Sequence, residues 1–148
     1  MSNEESFEYE ISMIRKDKYK FEIDFGKETI PNLLTDESKA VPGGEGLGPT
    51  PSMLLATAVG NCLSASLTFC ITKMNLEVVN LKTQVKFTRK RNEEGFWRIS
   101  QISVNLEPEV EDKDSSQYLK CVDIFKKYCI VSGSVEAGIP IHVTVDGN

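Results

Sequence analysis

Four cysteines, Cys62, Cys70, Cys121 and Cys129, carry most of the chemistry that this sequence of 148 residues can offer. A thiolate is a strong nucleophile that can be oxidised and reduced reversibly. Two common uses of cysteine are excluded. Four in a chain of this length are too few for a disulfide-scaffolded mini-protein, and no two stand in a Cys-x-x-Cys pair of zinc-finger spacing. With His142 as the sole histidine, neither a metal site nor a bound cofactor is expected. Each thiol is then either a small buried hydrophobe or a redox group, and core packing is the expectation for Cys70 and Cys121. His142 is expected to make a structural hydrogen bond in a closing strand.

Other candidate sites are weaker. The loop from Gly44 to Pro51 is glycine-rich and precedes a helix, but it lacks the Gly-Lys-Ser/Thr ending that would hold phosphate and metal. Lys86, Arg89, Lys90 and Arg91 end a strand at a turn and read as a solvated edge. The net charge of -5 argues against nucleic acid as a partner. The N-terminus, MSNEESFEYE, is acidic where a secretory signal would be basic and then apolar, which favours the cytoplasm. The uncharged stretch from Gly46 to Thr72 has Asn61 at its centre among hydroxyl residues, so it reads as a buried core helix, with no membrane partner.

The elements that must hold these residues follow from hydrophobic period. Phe7, Tyr9, Ile11 and Met13 alternate with polar residues, and Arg15 keeps their inward parity to the strand end. Tyr19, Phe21, Ile23 and Phe25 form a second strand after the turn at Lys16-Asp17-Lys18, and a short strand is expected near Ile30 to Leu34. Thr50 as N-cap and Pro51 in the first turn start a helix that runs to about Met74. That helix is apolar or small almost all round and should be enclosed on every side, which a domain of this size achieves most simply as a dimer. Val79 to Phe87 and Trp97 to Leu106 form two strands, and a change of parity at Ser100-Gln101 predicts a β-bulge. Asp114-Ser115-Ser116 caps a second helix whose buried stripe, Tyr118, Val122, Phe125 and Cys129, has helical spacing. Ile139 to Val145 closes the chain as a strand. This order predicts one α+β domain over residues 1–148, with antiparallel sheets packed on a long central helix.

Two blocks make the chain resemble the OsmC and organic hydroperoxide resistance family. The first is Gly48-Pro49-Thr50-Pro51-Ser52-Met53-Leu54-Leu55-Ala56-Thr57-Ala58-Val59-Gly60-Asn61-Cys62. The second runs from Lys127-Tyr128-Cys129-Ile130-Val131-Ser132-Gly133 to Gly138-Ile139-Pro140-Ile141. The resemblance implies an OsmC-like fold, an intertwined homodimer, and a thiol-dependent peroxidase acting on organic hydroperoxides. By it, Cys62 matches the peroxidatic cysteine, forming a sulfenic acid, and Cys129 the resolving one, with a dithiol reductant reopening the disulfide. Arg15, the only early arginine, is the candidate to stabilise the Cys62 thiolate. The family's glutamate near the start of the cysteine helix is absent, since Ser52 and Met53 stand there; Glu45 is a candidate substitute. The departure opens an alternative, a non-peroxidase OsmC-like dimer that binds a small molecule or senses redox state.

Overall fold

A computed structural model describes residues 4–147. Contacts divide the chain into two compact units, Met1–Leu54 and Leu55–Asn148.

The first unit holds an antiparallel sheet of three strands in the order β1 (Ser12–Asp17), β2 (Lys20–Asp24) and β3 (Leu33–Thr35). The expected strand from Phe7 begins only at Ser12. Phe7, Tyr9, Ile11 and Met13 are all exposed, so the inward face assigned to their parity, Arg15 included, is not buried within this unit. Beyond β3, Asp36 is fully buried and gathers the glycine-rich loop: Oδ1 accepts the Glu37 N–H at 2.8 Å, and Oδ2 accepts those of Glu45 and Leu47 at 3.2 and 3.1 Å. Gly44 is required there, because a Cβ would collide with the Ser38 and Glu37 carbonyls.

The second unit is built around the hairpin of β4 (Val78–Arg91) and β5 (Trp97–Val110). Leu81, Thr83, Val85 and Phe87 turn to one face, opposite Leu106, Val104 and Ile102 on β5. Thr88 pairs with Gln101 and Arg89 with Ile99, which leaves Ser100 as the extra residue of the expected bulge. Helix α1 (Pro51–Lys73) lies against that face. Its first turn is capped as the sequence predicts, Thr50 Oγ1 accepting the Met53 N–H at 3.3 Å. Gly60 brings the helix close to Val85, and Ser64 Oγ shares a 2.7 Å hydrogen bond with Thr83 Oγ1.

The main core cluster is Leu67, Cys70, Ile71, Val110 and Cys121, with Leu81, Leu106, Tyr118 and Phe125 packed around it. Fully burying a side chain such as Ile71 or Leu67 contributes about 1.5–3 kcal/mol, so these positions anchor α1. By length and composition α1 would span a membrane, yet one side is buried as a core helix requires. The enclosure expected on every side is not met within one chain. Leu55, Ala58, Ala65 and Phe69 face outward at spacings of three and four about half-buried Cys62.

The C-terminal third departs further from expectation. Helix α2 (Ser116–Ile124) starts as predicted, Ser115 Oγ accepting the Tyr118 N–H at 3.2 Å. It then tightens into a 3₁₀ turn, Phe125–Tyr128, and breaks before α3 (Ile130–Ala137). Cys129 is therefore not on a continuing helical stripe; with φ -80° and ψ 101° it is the extended N-cap of α3. The expected strand from Ile139 to Val145 does not form, because no strand among the described residues pairs with it, and Ile139, Ile141, Val143 and Val145 are 59–84% exposed. His142 is likewise exposed there.

Candidate functional site

The chain brings Cys62 and Cys129 together. Both thiols are free, Cys62 half-buried on α1 and Cys129 2% exposed at the start of α3. Cys129 forms a buried cluster with Val59 and Leu63, and Cys62 packs against it. The Cys62 side chain is close enough to Cys129 to favour the Cys129 thiolate.

The break between the 3₁₀ turn and α3 gives Cys129 its character. As N-cap, its Sγ accepts the Ser132 N–H at 3.3 Å, taking the place that a serine or aspartate oxygen ordinarily fills. Burial pushes the Cys129 thiol up. Donors from Ser132, from the Cys62 thiol and from the Val131 N–H outweigh it and hold the pKa below the ordinary thiol value. The Ser132 backbone N–H is the firm contact. The Ser132 hydroxyl is oriented to favour the thiolate, but among the described residues it completes no hydrogen bond of its own.

Two shallow grooves of about 250 and 270 Å³ flank this point. They share Val59, Ile102, Ser132 and Glu136, and Leu55, Ile99 and Val135 extend one while Leu63, Val104 and Phe125 extend the other. Their walls include Ser132 but neither cysteine. An apolar group in either groove would reach the sulfurs past Ser132.

Arg15 belongs to the other unit. It is exposed on β1, opposite Phe21, and its Nε donates to the Lys18 carbonyl at 2.8 Å. Glu45 is not its partner: the carboxylate pairs with Lys18 Nζ at 2.6 Å and Lys20 Nζ at 2.9 Å. Hydrogen bonds from those two lysines hold Glu45 down to about 2. At the start of α1, Ser52 and Met53 supply no carboxylate. Among the described residues no cluster of histidine, cysteine and carboxylates could hold a metal.

Sequence reasoning missed three features. Ser132 gave no signal beyond standing three residues after Cys129. Asp36 gave none. Cys70 and Cys121 do pack in the core as expected, but joined as a disulfide, with Cα atoms 5.6 Å apart. A numerical sign of that pairing was present: Cys62 and Cys70 are eight residues apart, and so are Cys121 and Cys129.

Residues 43–144 match the family model described as OsmC-like protein. No curated protein matches the sequence. Among solved structures, the fold is similar to an OsmC-like protein of unknown function from Vibrio cholerae, at TM-score 0.75 and 14% identity over 88% of this chain and 95% of that one. An OsmC-like protein from Mycoplasma pneumoniae gives 0.73 and 14% over 89% of each chain. An organic hydroperoxide resistance protein of Bacillus subtilis gives 0.58 and 18% over 86% of this chain and 89% of that one. These identities establish the α+β fold and leave the chemistry to the residues. With a family model matched over most of its length, the chain belongs to the OsmC-like protein family.

Proposed function

We propose that the protein is a thiol-dependent peroxidase for organic hydroperoxides, working as one OsmC-like domain in a cytoplasmic homodimer. The observation that carries this reading is the juxtaposition of two free thiols, Cys62 and Cys129, beside grooves with largely apolar walls. Attack of the Cys62 thiolate on the peroxide breaks the O–O bond, gives Cys62 sulfenic acid and releases an alcohol. Cys129 then attacks that sulfur, a disulfide forms and water leaves. A dithiol reductant reopens the disulfide and carries away the two electrons. In this scheme the N-cap position of Cys129 keeps the resolving thiol ready as thiolate, and Arg15 steadies the thiolate of Cys62. The relative from Bacillus subtilis, described as an organic hydroperoxide resistance protein, supports the substrate class.

The homodimer is supported by three surfaces that one chain leaves uncovered. The outward stripe of α1, Leu55, Ala58, Cys62, Ala65 and Phe69, has the spacing of a helix–helix seam. The alternating segments 7–11 and 139–145 both expose apolar side chains and pair with no strand among the described residues.

A second reading is favoured by Ser52 and Met53 at the start of α1 and by the engagement of Glu45 with two lysines. Without a carboxylate to hold Arg15, the pair would serve a small-molecule-binding or redox-sensing dimer. Treating the Cys129→Ala variant with a bulky organic hydroperoxide separates the readings. The peroxidase traps Cys62 as sulfenic acid, seen by mass spectrometry, with one alcohol released per site and a slower reaction with hydrogen peroxide. An unmodified Cys62 after the organic peroxide has been supplied in excess would rule the peroxidase out.

A further inference from the structure

The two cysteines that this scheme leaves unused sit in the middle of the core. Cys70 on α1 is 4% exposed and Cys121 on α2 is 0% exposed. Their Cα separation of 5.6 Å falls at the centre of disulfide geometry, and they are bonded. Cys70 meets Cys121 while Cys62 meets Cys129, so α1 and the segment from α2 into α3 run past each other in opposite directions. The four sulfurs form two rungs, separated by about 12 Å along α1 at the helical rise of about 1.5 Å per residue. Leu106 and Phe125 touch both the cluster around the inner rung and the cluster around the outer one.

The rungs differ in access. Cys62 is half-buried beside open grooves, whereas Met74, Leu76, Tyr118 and Ile124 also close over the inner pair. Thiol–disulfide exchange needs a thiolate to approach a sulfur, so a reductant that opens the outer rung does not reach the inner one in the folded chain. We propose that Cys70 and Cys121 are a second, sealed redox centre whose bond holds the segment carrying Cys129 against Cys62. This deepens the redox reading of Cys62 and Cys129 and rests on it. The bond forms before α2 closes on α1: each thiol gives up a proton and an electron, and a hydroperoxide accepts both pairs, yielding its alcohol and one water. The bond then fixes α2 to α1, and only the 3₁₀ turn intervenes before Cys129. Cys70 and Cys121 are thus positioning residues, acting through the spacing of the outer pair.

The test does not depend on peroxide turnover. The native protein is incubated with a monothiol–disulfide buffer that fully reduces Cys62–Cys129, alkylated, unfolded and digested. The expected result is alkylated Cys62 and Cys129 with an intact Cys70–Cys121 cross-linked peptide; free, alkylatable Cys70 and Cys121 would overturn the proposal. Second, the equilibrium of the outer pair is measured over a graded series of thiol-to-disulfide ratios in the parent, in Cys70→Ala/Cys121→Ala and in the better-filled Cys70→Val/Cys121→Ala. The expected shift is about tenfold toward the dithiol, which is about 30 mV for a two-electron couple. An unchanged equilibrium in a folded variant would overturn the positioning role, as would failure of both variants to fold, since the bond would then be structural only. If the outer pair forms no disulfide in the parent protein, the peroxidase reading fails, and the cross-linked peptide still reports on the inner bond.

Discussion

Gly60→Ala tests whether the approach of α1 to the hairpin sets the position of Cys62. On a solvent-facing helix turn the substitution would stabilise by about 1 kcal/mol. Here the new methyl would collide with Val85 Cγ2, with Thr83 Cγ2 at 3.8 Å beyond it. Val85 is β-branched and stiff about χ1, and its strand is held in register by the Val85–Val104 pair, so the side chain has little room to yield. Overpacking of this kind costs about 1–3 kcal/mol, which leaves a net loss of up to about 2 kcal/mol. Val85→Ala removes the obstacle at a cost of about 1 kcal/mol for a half-buried pair of methyls. In the double variant the methyl added at position 60 occupies the freed space, so the two changes should be coupled favourably by at least about 1 kcal/mol. Urea unfolding of the four proteins, compared at equal m, measures that coupling. Cys62 lies one half-turn further on, so Gly60→Ala should also slow closure of the Cys62–Cys129 disulfide, and Val85→Ala should restore it. A Gly60→Ala protein more stable than the parent, or a coupling within about 0.5 kcal/mol of zero, would refute the argument.

Three further outcomes follow from the site and its supports. Arg15→Ala should slow the reaction of Cys62 with peroxide while the protein stays folded; an unchanged rate constant would remove Arg15 from the proposed mechanism. Glu45 has its folded pKa held at about 2 against an ordinary 4.5, so the stability it contributes is present above pH 4.5 and is lost as pH falls toward 2. Protection of the Glu45 and Leu47 amides against hydrogen exchange, taken relative to the intrinsic rate at each pH, should fall through that window, and more weakly in Lys18→Met, whose carboxylate keeps only Lys20. Phe69→Glu on the outward stripe of α1 should dissociate the proposed dimer, so that sedimentation at micromolar concentration finds a dimeric parent and a monomeric variant; a dimeric variant would place the interface elsewhere.

What could be read in advance was local. The caps at Thr50 and Ser115 need only a side chain and an N–H two or three residues on, and both are where the sequence puts them. The bulge at Ser100 is visible because it changes the parity of five apolar residues. Features that depend on a distant partner were not legible. Ile139 to Val145 alternate as a strand does, but alternation cannot say which chain supplies the neighbouring strand. The stripe ending at Cys129 has helical spacing through a segment that in fact tightens and breaks, because the N-cap role of Cys129 satisfies the next helix instead. Asp36 carries no pattern at all, since its partners are backbone N–H groups of a loop that could fold in many ways. The pair Cys62 and Cys129 was found by resemblance, which also implied that they meet, whereas the bond between Cys70 and Cys121 came from the fold.

The bulge at Ser100 acts as a phase shift in a two-residue code. Before it, the apolar letters of β5 are Trp97, itself exposed, and Ile99; after it they are Ile102, Val104 and Leu106. The inserted residue lets both sets address the same face. It also allows Ile99 and Ile102, three apart, to stand in one wall of a groove, and it keeps Trp97 on the side of Arg91, whose guanidinium lies 4.4 Å from the indole. Deleting one residue here would therefore be read as a frameshift confined to the hairpin. Either the tip from Arg89 to Ile99 or the whole base beneath α1 would turn over, while every other position in the chain kept its meaning.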